Sequence, residues 1–251
     1  MSQPKQLPEA LQGITSLTFD LMGTCADWLT SIINALSLAP PIAGLDHDLL
    51  ARDWRAGFFK YILDSFARGE QSPDIDIVHR EVLDGLLADR GVGKEWGEEV
   101  RATLVGGWHR QVGWPDAVEG IQRLRKKYDV VVLANGTTRL QLDIASSSGL
   151  PFHALLSSQL LGHTKPDQRM YLRCLDLLDR NSQQVAMVAA HAYDLRAAAK
   201  VGMRTIYIHR DTEDPEEDFE QLRTDVDLLI DGRAAAGPKG GLIALAELLG
   251  C

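Results

Sequence analysis

The stretch Ile14-Thr15-Ser16-Leu17-Thr18-Phe19-Asp20, followed by Leu21-Met22-Gly23-Thr24, decides how the chain is read. An apolar run that breaks off at an aspartate and enters a Gly-Thr turn holds a carboxylate at one fixed edge of a sheet. In open α/β sheets that edge, the carboxyl ends of the strands, is where ligands bind. A carboxylate held there can act as a covalent nucleophile.

Further apolar runs follow: Val130-Val131-Val132-Leu133, Val185 to Ala190, Thr205 to Ile208 and Leu228 to Ile230. None alternates with polar residues, as expected of strands covered on both faces. Helix patterns fall between them. Asp116 to Lys127 carries Val118, Ile121 and Leu124 on one stripe, and Pro166 is read as the first position of a helix bearing Met170, Tyr171, Leu175 and Leu178. The segment from Trp28 to Val112 reads as helical throughout, over Leu49 to Phe66, Ile75 to Leu87 and Trp96 to Trp108, with Ser72-Pro73 before Asp74 as a helix start. The sequence therefore predicts an α/β fold: a doubly wound, Rossmann-like parallel-sheet core of residues 1–27 and 113–251 with an inserted helical cap domain of residues 28–112. Inter-domain clefts are common small-molecule sites.

Composition narrows the function classes. A chain of 251 residues that is 45% hydrophobic can bury a sizeable core as one large or two small domains. Its net charge of −9 argues against nucleic acid as a partner, because phosphate binding needs clustered Lys and Arg. Much of the acidity lies in Asp211-Thr212-Glu213-Asp214-Pro215-Glu216-Glu217-Asp218, read as a solvated loop. Cys25, Cys174 and Cys251 are odd in number and widely spaced, so no disulfide framework is expected. No apolar run is long enough to span a membrane, and the first residues lack a signal-peptide pattern. A reduced, cytoplasmic location with no membrane partner is the expectation.

Four polar clusters fall at or beyond strand ends: Asp20 with Thr24, Asn135-Gly136, Lys165, and His191-Ala192-Tyr193-Asp194. Each has a bland explanation alone. An Asp after a strand is commonly a turn residue, Asn-Gly is a turn signal, and an edge Lys is commonly solvated. Their order and spacing together are not explained that way. On these motifs the chain resembles the haloacid dehalogenase superfamily, and within it the type II 2-haloacid dehalogenase-like proteins. The resemblance rests on Phe19 to Thr24, Leu133-Ala134-Asn135-Gly136, Lys165-Pro166-Asp167 with Tyr171, and Ala189 to Asp194. In the cap it adds Asp53-Trp54-Arg55 and Ile75 to Arg80.

The resemblance implies a mechanism. Asp20 attacks the 2-carbon of a short 2-haloacid, halide leaves, and the aspartyl ester is hydrolysed to a 2-hydroxy acid. Lys165 and Asp194 hold Asp20 and the hydrolytic water. Arg55 stabilises the leaving halide beside Asn135, and Thr24 with the backbone near Met22 binds the substrate carboxylate. Tyr171 belongs to the same substrate and halide set. The partner is a small anionic molecule. Physical chemistry agrees with part of this: an unperturbed Asp ionises at ~3.9, so Lys165 serves to orient Asp20 and balance charge, not to deprotonate it.

Departures from the wider family carry information. Its phosphatases bear Asp two residues after the nucleophile, where this chain has Met22, and bind Mg²⁺ through acids where this chain has His191. One carboxylate with a histidine is a poor octahedral Mg²⁺ site. No metal and no cofactor are expected. Well-known dehalogenases have Ser at Ala134, binding the substrate carboxylate; such a bond contributes ~1.5–3 kcal/mol. His191 reads either as the general base of ester hydrolysis or as a histidine packed under the cap and satisfied by Asp194.

Other residues are assigned to structure. Cys25 has no base partner and is read as packing; Asp74, Asp76 and His79 have a metal-like composition, but Asp74 and Asp76 fit the first turn of a cap helix. Gly237 to Gly241 is read as the entry to a last helix, Leu242 to Leu249. Dimers are common in the resembled family, and Trp96 and Trp108, taken as exposed, are candidate contacts. Two readings compete with the small-haloacid dehalogenase. One keeps the nucleophile but takes a larger, non-haloacid substrate, for which Ala134 opens space. The other is a non-catalytic binding protein, against which the retained charge set Asp20, Lys165 and Asp194 argues.

Overall fold

The computed structural model describes residues 7–68 and 74–251. It divides into two compact units, one made by the segments up to Asp27 and from Gly113, the other by Trp28–Val112. Short strands β2 (Ala26–Asp27) and β3 (Val112–Gly113) mark the passages from one unit to the other.

In the first unit β1 (Ser16–Phe19), β4 (Asp129–Ala134), β5 (Ala154–Ser157), β6 (Val185–Ala189), β7 (Arg204–His209) and β8 (Leu228–Asp231) form a parallel sheet in the order β5-β4-β1-β6-β7-β8. All four residues of β1 are buried, with Phe19 level with Val132 on one side and Val188 on the other. Its two polar residues are satisfied inside the sheet, the Ser16 hydroxyl donating to Asp129 Oδ2 at 3.1 Å and that of Thr18 to the Ala186 carbonyl at 3.3 Å. After β1 the chain steps to β4 and β5 on one side and to β6, β7 and β8 on the other. The order therefore reverses beside β1, the position where such sheets bind ligands. This is the doubly wound α/β architecture that the apolar runs predict.

The helices of this unit are α5 (Ala117–Leu124), α6 (Thr138–Ser148), α7 (Ser158–Leu161), α8 (Gln168–Leu178), α9 (Ala192–Lys200), α10 (Phe219–Asp225) and α11 (Gly241–Leu248). One buried cluster joins Leu133, Met187 and Tyr207 of the sheet to Met170, Tyr171 and Cys174 of α8 and Leu195 of α9. Each large aliphatic side chain buried this way contributes about 1.5–3 kcal/mol.

Several boundaries differ from the sequence expectation. Strand β5 was not anticipated: it is a short edge strand, half-buried, whose sequence carries no long apolar run. Helix α5 stops at Leu124, and Arg125 to Lys127 turn out of it. Pro166 does not open α8. It follows Lys165 in a cis peptide bond, and Asp167 is the N-cap, its side chain accepting from the Arg169 amide.

The second unit holds α1 (Trp28–Leu38), α2 (His47–Ala67), α3 (Ile75–Asp89) and α4 (Glu98–Val105). Asp74 caps α3 by accepting from the Asp76 amide; the Ser72-Pro73 start signal lies outside the described residues. The single helix expected over Trp96 to Trp108 is instead α4 with a 3₁₀ turn at Gly106–His109. Glycines at 97, 106 and 107 explain the interruption, since glycine is a poor helix former.

Trp96 and Trp108, expected on the surface, are both buried. Trp96 donates through Nε1 to the Pro40 carbonyl at 2.8 Å. Trp108 stacks on His79 with ring centroids 4.2 Å apart and meets Trp54 edge-on at 5.4 Å. These bulky rings pack with the buried aliphatic residues of the unit, so neither tryptophan is a surface contact. His79, sandwiched between Phe58 and Trp108, has its proton affinity pushed well below the usual histidine range by burial. It is a core residue.

Candidate active site

The ladder of β1 continues one residue past the strand, the Asp20 amide donating to the Val188 carbonyl at 3.0 Å. The chain then turns tightly: the amides of Cys25 and Ala26 both donate to the Leu21 carbonyl, and Gly23 adopts a left-handed φ of 87°. This turn brings Thr24 back beside Asp20. The Thr24 hydroxyl donates to Asp20 Oδ2 at 2.8 Å and accepts the Ala190 amide at 2.9 Å. Its one proton is thus committed to Asp20. A substrate carboxylate needs a donor, so the carboxylate-binding role expected for Thr24 does not fit, and the residue holds the aspartate instead.

The other oxygen of Asp20 belongs to Lys165, whose Nζ donates to Oδ1 at 2.9 Å and also to the Asp194 carboxylate. Asp194 stands in the first turn of α9 and receives the Tyr171 hydroxyl on Oδ1 at 2.6 Å. Tyr171, expected among the substrate-binding residues, is fully buried and supports Asp194 from behind. Asn135 brackets the backbone of Lys165, its Oδ1 accepting the lysine amide at 2.8 Å and its Nδ2 donating to the lysine carbonyl at 3.1 Å. One donor and one acceptor position of its amide thus go into holding that loop.

His191, at the N-cap position of α9, meets two carboxylates. Its Nδ1 lies 3.2 Å from Asp20 Oδ2, and its Nε2 lies 2.9 Å from Glu213 Oε2. The expected partner, Asp194, is not the one that satisfies it. Burial alone would disfavour the charged ring, but Asp20 and Glu213 outweigh it and raise the imidazolium pKa to about 10. These two carboxylates favour the charged ring, which bonds Glu213 through Nε2 and places Nδ1 at ion-pair distance from Asp20 without a well-aligned hydrogen bond to it. The charged state has no lone pair with which to act as a base.

Glu213 comes from the acidic run, which is not simply a solvated loop. Glu213 is buried, Asp214 accepts the Ala192 amide at 2.6 Å, and Asp218 caps α10. Gly23 provides the room: a Cβ there would come within 2.6 Å of the Glu213 carboxyl carbon. A second missed pair backs the turn. Buried Arg210 donates to the Thr24 carbonyl at 3.1 Å and pairs with Asp116 at 2.7 Å, and Asp116 also accepts the Leu242 amide.

Electrostatics follow from these contacts. Burial would raise the Asp20 pKa, yet Lys165 and His191 together hold it well below the usual carboxylate range. Burial likewise works against charge on Lys165, and Asp194 and Asp20 reverse it, raising the ammonium above its ordinary value. Asp194 is pushed upward by its complete burial, with Lys165 opposing. Asp20 is thus an ionised carboxylate with donors on both oxygens. Among the described residues no group of three or more His, Cys, Asp or Glu side chains is arranged to hold a metal ion.

The remaining expected residues have other contacts. Met22 bridges to Ala26 through its backbone in the turn. Ala134 ends β4, and its carbonyl accepts from Gln141 Nε2 at 2.9 Å. The Cys25 thiol points to the Asp20 carbonyl, and burial pushes its pKa well up, so it packs and stays protonated. Arg55 belongs to the helical unit, where its guanidinium lies 4.4 Å from the Phe59 ring centre and 5.4 Å from that of Trp28. Such cation–π contacts hold a guanidinium in largely apolar surroundings.

Comparison with known proteins places these features. Residues 14–202 match the model of the haloacid dehalogenase-like hydrolases. The chain is 32% identical to the (S)-2-haloacid dehalogenase 4A of Burkholderia cepacia, over 87% of this chain and 93% of that protein. A solved L-2-haloacid dehalogenase is similar with a TM-score of 0.80 and 32% identity, covering 94% of this chain and 99% of that one. A defluorinating L-2-haloacid dehalogenase gives the same TM-score of 0.80 at 27% identity, covering 99% of this chain and 100% of the other.

Proposed function

The chain belongs to the haloacid dehalogenase-like hydrolases, and on that footing we propose that it hydrolyses the carbon–halogen bond of short 2-haloacids through an ester on Asp20. The observation that carries this reading is the aspartate itself: ionised, fixed on the sheet ladder, with Lys165 on one oxygen and Thr24 and His191 on the other. Oδ1 accepts from Lys165, whereas Oδ2 accepts from Thr24 and has the His191 ring 3.2 Å away, so Oδ1 is taken as the attacking oxygen. Oδ1 forms the new bond to the 2-carbon as the carbon–halogen bond breaks, and the halide leaves with its electron pair. The inserted helical unit, which carries Arg55, is proposed as the cap domain. Lys165 and His191 offset the repulsion between the Asp20 carboxylate and an anionic substrate.

Water then adds to Cγ of the ester and gives a proton to Asp194. The Cγ–Oδ1 bond breaks, and the departing oxygen takes a proton from Lys165, which Asp194 replenishes across their hydrogen bond. The 2-hydroxy acid leaves carrying the oxygen that was Oδ1, and Asp20 returns as a carboxylate, releasing a proton. This sequence uses no metal. Both Asp20 oxygens already face cationic or hydroxyl donors, and a charged His191 opposes a divalent ion beside them. A larger substrate remains the second reading, favoured by Ala134, whose methyl group offers no bond to a substrate carboxylate.

The test is halide release from chloro-, bromo- and fluoroacetate and from both enantiomers of 2-chloropropionate, in EDTA, with Asp20→Asn as control. Release that needs Asp20 and ignores EDTA is the expected result. Inactivity on all of these, with turnover of larger halogenated acids or esters, would favour the second reading.

A further inference from the structure

Glu213 is the member of the Asp20 network that the reaction sequence above does not use, although it is buried and bonded to His191. We propose that Glu213 is a positioning residue: it keeps His191 protonated and seated beside Asp20 Oδ2, so that His191 and Thr24 together stabilise the oxyanion formed when the Asp20 ester is hydrolysed. The proposal rests on the ester mechanism just given and assigns His191 the work of a donor, not of a base.

The geometry argues it in three steps. An imidazole with a carboxylate acceptor at each nitrogen is satisfied only with a proton on each. Asp20 faces Nδ1 and Glu213 faces Nε2, at 3.2 and 2.9 Å. Second, Oδ2 is the oxygen left as the ester carbonyl when Oδ1 forms the bond. As water adds to Cγ, negative charge grows on Oδ2, to which the Thr24 hydroxyl already donates at 2.8 Å and beside which the His191 ring lies, Nδ1 at 3.2 Å. Fixed donors at the atom where charge develops are a large source of rate enhancement. Third, forming the ester removes the negative charge of Asp20, one of the two anions that keep His191 protonated. Glu213 is then the carboxylate in contact with the ring that still holds the proton through the hydrolytic step.

The surroundings are built around this carboxylate. Gly23, two residues before the strand-edge turn closes, leaves the space that Glu213 occupies, and the Thr212 hydroxyl donates to Glu213 Oε1 at 2.7 Å. The other charged and titratable groups near the ring are Asp214, which contributes a weaker attraction, and Tyr193, whose ring centre is 5.8 Å away. Lys165 faces the opposite oxygen of Asp20.

The experiment follows the two His191 ring nitrogens by ¹⁵N NMR against pH, assigned with His191→Gln, in the wild type and in Glu213→Gln. It is paired with single-turnover halide release and mass detection of an Asp20 adduct. The wild-type ring is expected to be doubly protonated at pH 8. In Glu213→Gln its titration midpoint falls by about 1–3 pH units. That variant keeps the first-turnover halide burst but, above its new midpoint, hydrolyses the ester slower by on the order of 10²-fold, so the adduct accumulates. Lowering the pH restores hydrolysis, and Glu213→Asp recovers part of it at pH 8. A neutral His191 in the wild type at pH 8 overturns the proposal. So does a Glu213→Gln protein whose burst and hydrolysis fall together at every pH, which marks Glu213 as merely structural. Absence of any burst from the wild type overturns the dehalogenase reading and the oxyanion role with it, whereas the NMR titration still decides whether Glu213 keeps the ring charged.

Discussion

Lys165 and Asp20, 145 residues apart in the chain, meet in a buried ion pair of 2.9 Å, and the same ammonium also bonds Asp194. Two carboxylates therefore depend on one cation. Removing one partner of a buried charge pair costs about 3–5 kcal/mol. Lys165→Met is expected to lose that order of stability in urea unfolding. Asp194→Asn with Lys165→Met should lose less than the sum of the two single changes, because the double change leaves fewer unpaired charges.

Asp20→Asn is expected to abolish halide release while leaving the fold intact, since an amide of the same shape can still accept from Lys165. In the wild type, a single turnover in ¹⁸O-water should give unlabelled hydroxy acid and labelled Asp20, read by mass spectrometry of the peptide that carries it. Label in the first-turnover product would mean that water attacks the substrate directly.

Thr24→Val removes the donor to Asp20 Oδ2 and leaves the buried Ala190 amide without its acceptor. An unsatisfied buried group costs about 1–3 kcal/mol, so a stability loss of that order is expected. Because the Thr24 proton is spent on Asp20, kcat should fall far more than KM rises. Thr24→Ser should behave nearly as the wild type. A change confined to KM would return Thr24 to the substrate.

The charged His191 makes stability depend on alkali. Its pKa is raised from 6.5 to about 10 in the folded chain. A raised value means that the folded state holds the proton more tightly, so the contribution is complete below pH 6.5 and is lost as pH rises through about 10. The slope in that window reaches about 1.4 kcal/mol per pH unit for one proton. Urea midpoints of the wild type should drop between pH 7 and 10, and those of His191→Gln should be flatter.

Ala134→Ser tests the substrate. If short haloacids are taken, a hydroxyl at the end of β4 should lower KM for them by roughly 10-fold or more, the worth of a hydrogen bond to a charged group at ~1.5–3 kcal/mol. No change in KM, with poorer turnover of larger molecules, would favour the second reading.

The sequence by itself determined the sheet and the nucleophile's place on it. Short apolar runs without alternation, bounded by turn signals and alternating with helix patterns, read as enclosed strands, and the residues just after Phe19, Ala134 and Ala189 then lie at their carboxyl ends. Lys165, Tyr171 and Asp194 were legible as members of the same group because the family's motifs preserve their order. What the tertiary structure alone decided was which polar atom meets which. Thr24 turned from substrate to Asp20 because its proton is already used there. His191 took Glu213 in place of Asp194, and Glu213 itself stood hidden in a charge run whose composition says solvent. Trp96 and Trp108 went inside because their partners, Pro40 and the rings of Trp54 and His79, are distant in sequence. Periodicity records which side of an element is apolar, a local property. The burial of a carboxylate depends on a cation elsewhere in the chain and on the space left by one glycine, and only the folded chain brings those together.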